Sequence, residues 1–343
     1  MKIVHVVGGR PQFIKVSMVD RELRRKGHES IILHTGQHYN YRMSQVFFDE
    51  MDIPETKINL EVGSGSHAEQ TGKALIGIEQ FLIQEEPDWV LVYGDMNATL
   101  SGALAACKLQ IRSAHVEAGL RSYNRQMPEE FNRIVADHCV DIRFCPTETA
   151  QNNLAKEGIT PGAYLPGDVM LDAVMYFNDG QTDILEKLEI NPCTYLLMTV
   201  HRPTITKNDL EKVFLALKEL DETVIFPCHP RFRSMLPAHS NKVRVIQPVG
   251  YLDMLTLEKY AKMSLTDSSG VQRESYYFGI PCLTLRTETE LIETVIAGRN
   301  EVVGIDTEKI VRIVRSGVFS TSKPNIFGDG NAAKYIVRHL EYA

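Results

Sequence analysis

Lys2-Ile3-Val4-His5-Val6-Val7-Gly8-Gly9-Arg10-Pro11 opens the chain, and its reading decides the fold class. A mostly apolar run stops at two glycines, and the next apolar residues, Phe13, Ile14, Val16 and Val19, recur at helical spacing. Strand, glycine turn and helix in succession form the repeating unit of a parallel α/β sheet. The unit recurs. Ser30 to His34 runs into Gly36-Gln37-His38, Trp89 to Val92 into Gly94-Asp95, Ser113 to Val116 into Glu117, and Ile142 to Cys145 into Pro146-Thr147. In such a sheet ligands bind where the loops leave the strands. Arg10, Asp95 and Glu117, far apart in sequence, are therefore expected on one edge. Gly63-Ser64-Gly65-Ser66 reads as a loop before a helix starting near His67.

Beyond Tyr164-Leu165-Pro166-Gly167-Asp168 the rhythm begins again. Tyr195 to Val200 leads to His201-Arg202-Pro203, Val224 to Phe226 to Cys228-His229-Pro230, Val243 to Ile246 to Gln247-Pro248, and Met263 to Thr266 to Asp267-Ser268-Ser269-Gly270. Cys282 to Leu285 leads to Arg286-Thr287-Glu288-Thr289-Glu290. The expected architecture is α/β with two open sheets facing across a cleft. The first domain takes residues 1–166 with a closing helix at 328–343 packed back on it, and the second takes 167–327.

A length of 343 residues suits two such domains, each with its own core. Charged residues make up 24% and the net charge is −7, which leaves no basic surplus for coating nucleic acid or an anionic membrane. The first strand is too short and too poor in basic residues for a signal peptide, and no segment approaches the ~18 apolar residues of a membrane span. A cytoplasmic protein is expected. Cysteines 107, 139, 145, 193, 228 and 282 show neither a CxxC pair nor metal-finger spacing, so they read as reduced, mostly buried thiols with no metal site.

His115-Val116-Glu117-Ala118-Gly119-Leu120-Arg121 and Pro128-Glu129-Glu130-Phe131-Asn132-Arg133 place carboxylates at two loop ends. Acids beside a first-turn proline are ordinary helix-start chemistry, which can account for Glu130. Glu117, just past a strand, is where α/β enzymes put working groups. A carboxylate pair alone would equally suit glycoside hydrolysis. Arg10, with Lys15 one helical turn later, is placed to meet a phosphate or a sugar. Ser268, Ser269 and Gly270 open a helix whose free amides suit an anion, and Glu274 one turn on suits a ribose diol. The same segment also reads as a plain N-cap. His201-Arg202 and His229-Pro230-Arg231 add two basic clusters.

Taken together these motifs resemble the non-hydrolysing UDP-N-acetylglucosamine 2-epimerase family, with its two Rossmann-like domains in the arrangement called GT-B. The resemblance runs through Gly9-Arg10-Pro11 with Lys15, Thr35-Gly36-Gln37-His38, Gly94-Asp95, the two carboxylate motifs, His201-Arg202, and Asp267-Ser268 with Gly270 and Gln272. It implies Asp95, Glu117 and Glu129 as catalytic acids and His201 as the active-site histidine. Arg10, Ser268, Ser269 and Glu274 match nucleotide-diphosphate contacts, and Lys15, His229, Gly270 and Arg286 complete the expected substrate-binding set. No cofactor or metal is implied. The partners would be a UDP-sugar, UDP and a second copy in a homodimer. Gly94-Asp95-Met96-Asn97, Asp267-Ser268-Ser269-Gly270, Pro203-Thr204-Ile205-Thr206 and Leu291-Ile292 depart from the family's usual sequences, so the sugar's substituents stay open. The rivals are a 2-epimerase of a diacetamido or uronic acid sugar, a GT-B glycosyltransferase and a silent nucleotide-sugar sensor.

Overall fold

The computed structural model describes residues 1–36, 50, 51, 53, 58–178, 182–202, 204–237 and 242–343. Gln37, His38 and Pro203, all within quoted motifs, lie outside the described residues, as does the side chain of Arg10. Two compact units emerge: Met1–Met175 with Asn325–Ala343, and Tyr176–Pro324.

The first unit is built on β1 (Lys2–Val7), β2 (Glu29–His34), β3 (Ile58–Asn59), β4 (Trp89–Tyr93), β5 (Ser113–Val116), β6 (Ile142–Phe144) and β7 (Ala163–Tyr164). They pair in parallel in the order β3-β2-β1-β4-β5-β6-β7. The central strands are covered on both faces, so Trp89–Tyr93 is buried along its whole length and reads as a continuous apolar run. The sequence pattern missed β3 and β7. Two residues at a sheet edge show neither alternation nor an apolar run.

The second unit carries β8 (Tyr195–Thr199), β9 (Thr223–Pro227), β10 (Val243–Ile246), β11 (Met263–Thr266), β12 (Cys282–Thr284) and β13 (Asn300–Val302). These are again parallel, in the order β10-β9-β8-β11-β12-β13. Leu196, Met198, Phe226, Leu265 and Leu283 on the strands meet Leu210, Phe214, Ile310 and Val314 on the helices in one core. Each such side chain stabilises the fold by about 1.5–3 kcal/mol when fully buried.

Strand order reverses between β1 and β4 in one sheet and between β8 and β11 in the other, since these strands are neighbours in space but not in sequence. At such a switch point the adjacent loops diverge to opposite faces and leave a crevice at the strands' carboxyl ends. Gly8-Gly9 and Gly94-Asp95 leave one switch point, and His201 and Asp267-Ser268 leave the other.

The division between the units falls at Met175/Tyr176 and Pro324/Asn325, whereas the sequence pattern suggested 166/167 and 327/328. The two glycine turns expected to mark the crossings lie against each other inside the first unit. Gly167 has φ 95°, and a Cβ there would meet the Phe327 carbonyl at 2.7 Å, while the Asp168 amide donates to that carbonyl at 2.8 Å. Asp172 then accepts from the Ala332 and Ala333 amides at 3.1 and 2.8 Å, tying helix Val169–Phe177 to the start of helix Ala332–Tyr342. Burial pushes Asp172 up to about 6 against these bonds.

A buried polar chain crosses the back of the first sheet. Ser30 Oγ donates to Asp20, so it accepts from His5 Nε2 at 2.9 Å, and His5 Nδ1 in turn takes the Tyr93 hydroxyl at 2.6 Å. That pattern needs a neutral imidazole, and burial lowers His5 to about 4. Of the six thiols only Cys145, Cys228 and Cys282 are buried; Cys107 and Cys193 are exposed, a correction to the expectation of mostly buried cysteines. Among the described residues no helix is long and apolar enough to cross a membrane.

Candidate active site

Glu117 follows β5 with φ 74°, a left-handed conformation that costs a residue with a Cβ about 1–2 kcal/mol. The turn is held because the amides of Glu117 and Ala118 both donate to the Phe144 carbonyl, at 3.1 and 3.0 Å. Stored backbone strain of this kind is a pointer to function. The bend sends the carboxylate to Lys15 Nζ at 2.7 Å, with both side chains more than nine-tenths buried. Gly94, φ 60°, makes room for the pair: a Cβ there would stand 3.1 Å from Lys15 Nζ and 3.7 Å from Glu117 Oε1. Lys15, expected with Arg10 at a phosphate or sugar, is thus found paired with Glu117 beside Gly94, the residue preceding Asp95.

The rest of the first carboxylate motif is architecture. His115 Nδ1 lies 2.7 Å from Asp137 Oδ1 and its Nε2 lies 2.7 Å from the Gly94 carbonyl. Both ring nitrogens are thereby engaged inside the protein. Asp137 also takes the Gly119 amide at 3.1 Å and Arg121 at 2.8 Å, and Arg121 forks onto Glu157 at 2.7 and 2.8 Å. Burial alone would raise Asp137, but the charges and hydrogen bonds of His115 and Arg121 outweigh it and hold the carboxylate low. Asp137 is fully buried and was missed by motif reading. Its signal was present: an acid on the inward face of helix Pro128–Cys139, nine residues past the helix start.

The two neighbouring glutamates of the second motif differ. Glu130 is buried and accepts the Ser122 amide and hydroxyl at 2.9 Å each, the Tyr123 amide at 2.8 Å and Arg133 at 3.0 Å. Burial opposes ionisation, yet these bonds keep its carboxyl below the usual range. Glu130 therefore folds the 122–123 loop as well as opening the helix, a larger role than helix-start chemistry. Glu129 stands half-buried on the first turn beside it. Arg133 reaches past Glu130 to Asp95 at 2.5 Å, and Asn132 donates to the Asp95 carbonyl at 2.9 Å. Helix Pro128–Cys139 thus fixes Asp95 from behind. Asp95 keeps 28% of its side chain open to solvent.

On the second unit Asp267 is the hidden centre. It is fully buried, accepts the His201 amide at 3.1 Å and the Arg202 amide at 2.9 Å, and meets His201 Nδ1 at 2.9 Å. Burial would raise it; the His201 charge and hydrogen bonds lower it. With Nδ1 engaged, the ring can present only Nε2 outward, and its side chain is 48% exposed. Ser268 caps helix Ser269–Phe278 by accepting the Val271 amide at 3.4 Å, and Ser268, Ser269 and Gly270 are half-buried at the helix start. A Cβ on Gly270 would lie 3.9 Å from Glu274 Oε2, so the buried Glu274 stands one turn behind the helix opening.

Arg286 is held by Glu290 at 2.9 Å and Glu288 at 3.5 Å, and Glu290 lies 3.9 Å from Arg202, next to His201. His229 serves its own turn. It caps a short 3-10 segment, Pro230–Met235, with Nδ1 accepting the Arg231 amide at 3.3 Å. The site chemistry of the second unit is therefore an exposed imidazole backed by a carboxylate beside a helix N-terminus, an arrangement that stabilises an anion without reorganising.

A family model described as UDP-N-acetylglucosamine 2-epimerase matches residues 21–341. A Methanococcus maripaludis protein named UDP-N-acetylglucosamine 2-epimerase homolog is 48% identical over 355 residues, 99% of each chain. The UDP-2,3-diacetamido-2,3-dideoxy-D-glucuronate 2-epimerase of Pseudomonas aeruginosa is 41% identical, again across 99% of each chain. Among solved structures, the Methanocaldococcus jannaschii UDP-GlcNAc 2-epimerase in complex with UDP-GlcNAc and UDP is 41% identical, covers 100% of both chains and superposes with a TM-score of 0.94.

Proposed function

The chain belongs to the UDP-N-acetylglucosamine 2-epimerase family, and from that premise we propose that it interconverts UDP-N-acetylglucosamine and UDP-N-acetylmannosamine by eliminating and re-adding UDP. The observation that carries the reading is Glu117, bent out of ordinary backbone geometry onto a buried lysine beside Asp95, in a chain that matches the family end to end.

Carbon 2 of an N-acetylhexosamine has no adjacent carbonyl, so its proton is not acidic enough to leave unaided near neutral pH. Departure of UDP breaks the C1–O bond, UDP takes the electron pair, and the positive charge developing at C1 acidifies C2–H. A carboxylate accepts that proton as the C1–C2 double bond forms, giving a glycal. Protonation of C2 from the opposite face, with return of the UDP oxygen to C1, yields the epimer. Two faces require two proton handlers, which Asp95, Glu117 and Glu129 supply jointly. His201, the helix opening at Ser268, and Arg10 meet the charge that grows on the leaving diphosphate. Glu274 takes the ribose, and Lys15, His229, Gly270 and Arg286 complete the substrate set.

A second reading, epimerisation of a diacetamido uronic acid sugar, is favoured by the Pseudomonas aeruginosa relative, whose identity equals that of the Methanocaldococcus jannaschii enzyme at 41%. We further read the protein as a cytoplasmic homodimer that supplies activated hexosamine to polysaccharide synthesis. Proton NMR of each UDP-sugar with the enzyme in heavy water tests both readings. Deuterium entering C2 of UDP-N-acetylglucosamine without added acceptor is the expected result. Exchange confined to the diacetamido uronate would move the assignment there, and no exchange in either would end the epimerase reading. Sedimentation velocity at micromolar concentration checks the dimer.

A further inference from the structure

At the switch point of the first sheet β1 and β4 diverge, and a side chain takes over where their backbones stop pairing. The β1–β4 register ends at Val6 with Val92. Beyond it the fully buried carboxamide of Gln12 lies between the two chain ends: Oε1 accepts the Gly8 amide at 2.5 Å, and Nε2 donates to the Tyr93 carbonyl at 2.6 Å. A peptide group would bond in the same sense, with its acceptor toward one strand and its donor toward the other. Because the Gly8 amide can only donate and the Tyr93 carbonyl can only accept, these partners also fix which end of the carboxamide is which.

Nε2 also reaches Thr99 Oγ1 at 3.0 Å, and Thr99 is fully buried too. Thr99 gives its single hydroxyl proton to the same Tyr93 carbonyl at 2.6 Å and accepts the Met96 amide at 3.1 Å. Gly94 and Asp95 are the residues enclosed between those two bonds, so the hydroxyl closes the turn that carries Asp95. Asn132 and Arg133 hold the Asp95 carbonyl and carboxylate from another helix. Gln12 itself stands one helical turn before Lys15, the partner of Glu117. One turn of helix Arg10–Arg25 therefore grips both the backbone beside Asp95 and the carboxylate of Glu117.

We propose that Gln12 and Thr99 are positioning residues for the proton transfer: they clamp the Tyr93 carbonyl and so set where Asp95 stands relative to Glu117. The inference rests on the reading of Asp95 as a proton handler. Neither side chain titrates near neutral pH, so the contribution of both is geometric. Removing either donor leaves buried backbone groups short of a partner, and the turn must shift to recover one. A displacement of about 1 Å at a reacting group can cost about 10²-fold in rate.

C2 exchange in heavy water, with the UDP-sugar that the wild type exchanges, tests this on Thr99→Val, Thr99→Ser and Gln12→Met, with calorimetry of UDP and thermal melts to confirm folding. Thr99→Val keeps the shape and removes both hydroxyl bonds, so kcat should fall by about 10²-fold while UDP affinity stays at the wild-type value. Thr99→Ser keeps the hydroxyl and should restore most of the rate. Gln12→Met fills the same space without bonding and should lose rate as Thr99→Val does; should it fail to fold, the Thr99 pair carries the test. A folded Thr99→Val with a lower melting temperature and wild-type kcat would make the clamp merely structural, and equal rate losses in Thr99→Val and Thr99→Ser would also overturn it. Asp95→Asn separates the two readings. If it abolishes exchange while Thr99→Val and Gln12→Met run at the wild-type rate, only the clamp is wrong. If Asp95→Asn itself exchanges at the wild-type rate, the reading of Asp95 fails and takes the positioning role with it.

Discussion

The loop after β5 and the loop after β11 are both centred on a buried aspartate that holds a histidine, yet they spend that aspartate differently. Asp137 closes a ring of buried charges, with both nitrogens of His115 occupied and Arg121 shared with Glu157. Its product is the rigid turn that carries Glu117. Asp267 occupies only one ring nitrogen of His201 and leaves the imidazole half open to solvent. Its product is a presented group. A histidine–aspartate pair is therefore architectural when both ring nitrogens are consumed and available for chemistry when one remains. That distinction is invisible in the dipeptides His115-Val116 and His201-Arg202.

The largest effect should come from what the first loop carries. Glu117→Gln keeps shape and the contact to Lys15 as a neutral amide, so the fold and UDP affinity should persist while C2 exchange in heavy water falls by about 10²–10⁴-fold. Exchange at the wild-type rate would remove Glu117 from the proton transfer.

The next comparison sets the two aspartates against each other. Asp137→Ala strands the buried Arg121 and His115, and loss of about 3–5 kcal/mol is expected, read as a lower midpoint in urea unfolding. Asp267→Ala strands backbone amides instead and frees His201 to turn, so the expected stability loss is smaller, about 1–3 kcal/mol, with up to about 100-fold in kcat. Equal stability losses with equal activity losses would erase the distinction between the loops.

Affinity should separate the proposed nucleotide contacts from the proposed proton handlers too. Arg10→Ala and Glu274→Ala, at the proposed diphosphate and ribose contacts, should each weaken UDP by roughly ten- to a hundredfold, whereas Glu117→Gln should not. Unchanged calorimetric affinity in both would place the nucleotide pocket elsewhere.

The smallest effect lies outside both loops and is a matter of sign. His5 is lowered to about 4 in the fold, so between about 4 and 6.5 the unfolded chain binds the extra proton and stability rises with pH. Asp172 is raised to about 6, so between 3.8 and about 6 the folded chain binds the extra proton and stability falls as pH rises. The two slopes oppose each other. Asp172→Asn removes only the falling one, and its unfolding free energy relative to wild type should climb by on the order of 1–3 kcal/mol from pH 4 to 6.5. A pH-independent difference would mean that Asp172 is not raised in the fold.

Local pattern was enough for much of this molecule. The alternation of apolar runs, glycine turns and helical spacing determined two parallel sheets and put Asp95, Glu117, His201 and Ser268 at strand ends, because backbone geometry and the period of burial are properties of neighbours in sequence. The motifs also tied the chain to its family. Tertiary structure decided which acids are consumed by internal bonds and which stay open. Glu129 and Glu130 are adjacent letters, but only packing shows that Glu130 is consumed by Ser122, Tyr123 and Arg133. Asp137 and Asp267 are single acids, one on a helix and one at a strand end, and nothing nearby in sequence announces what meets them. Their histidine partners arrive from 22 and 66 residues away. A charge takes its role from the dielectric and the partners around it, and those exist only once distant segments have packed.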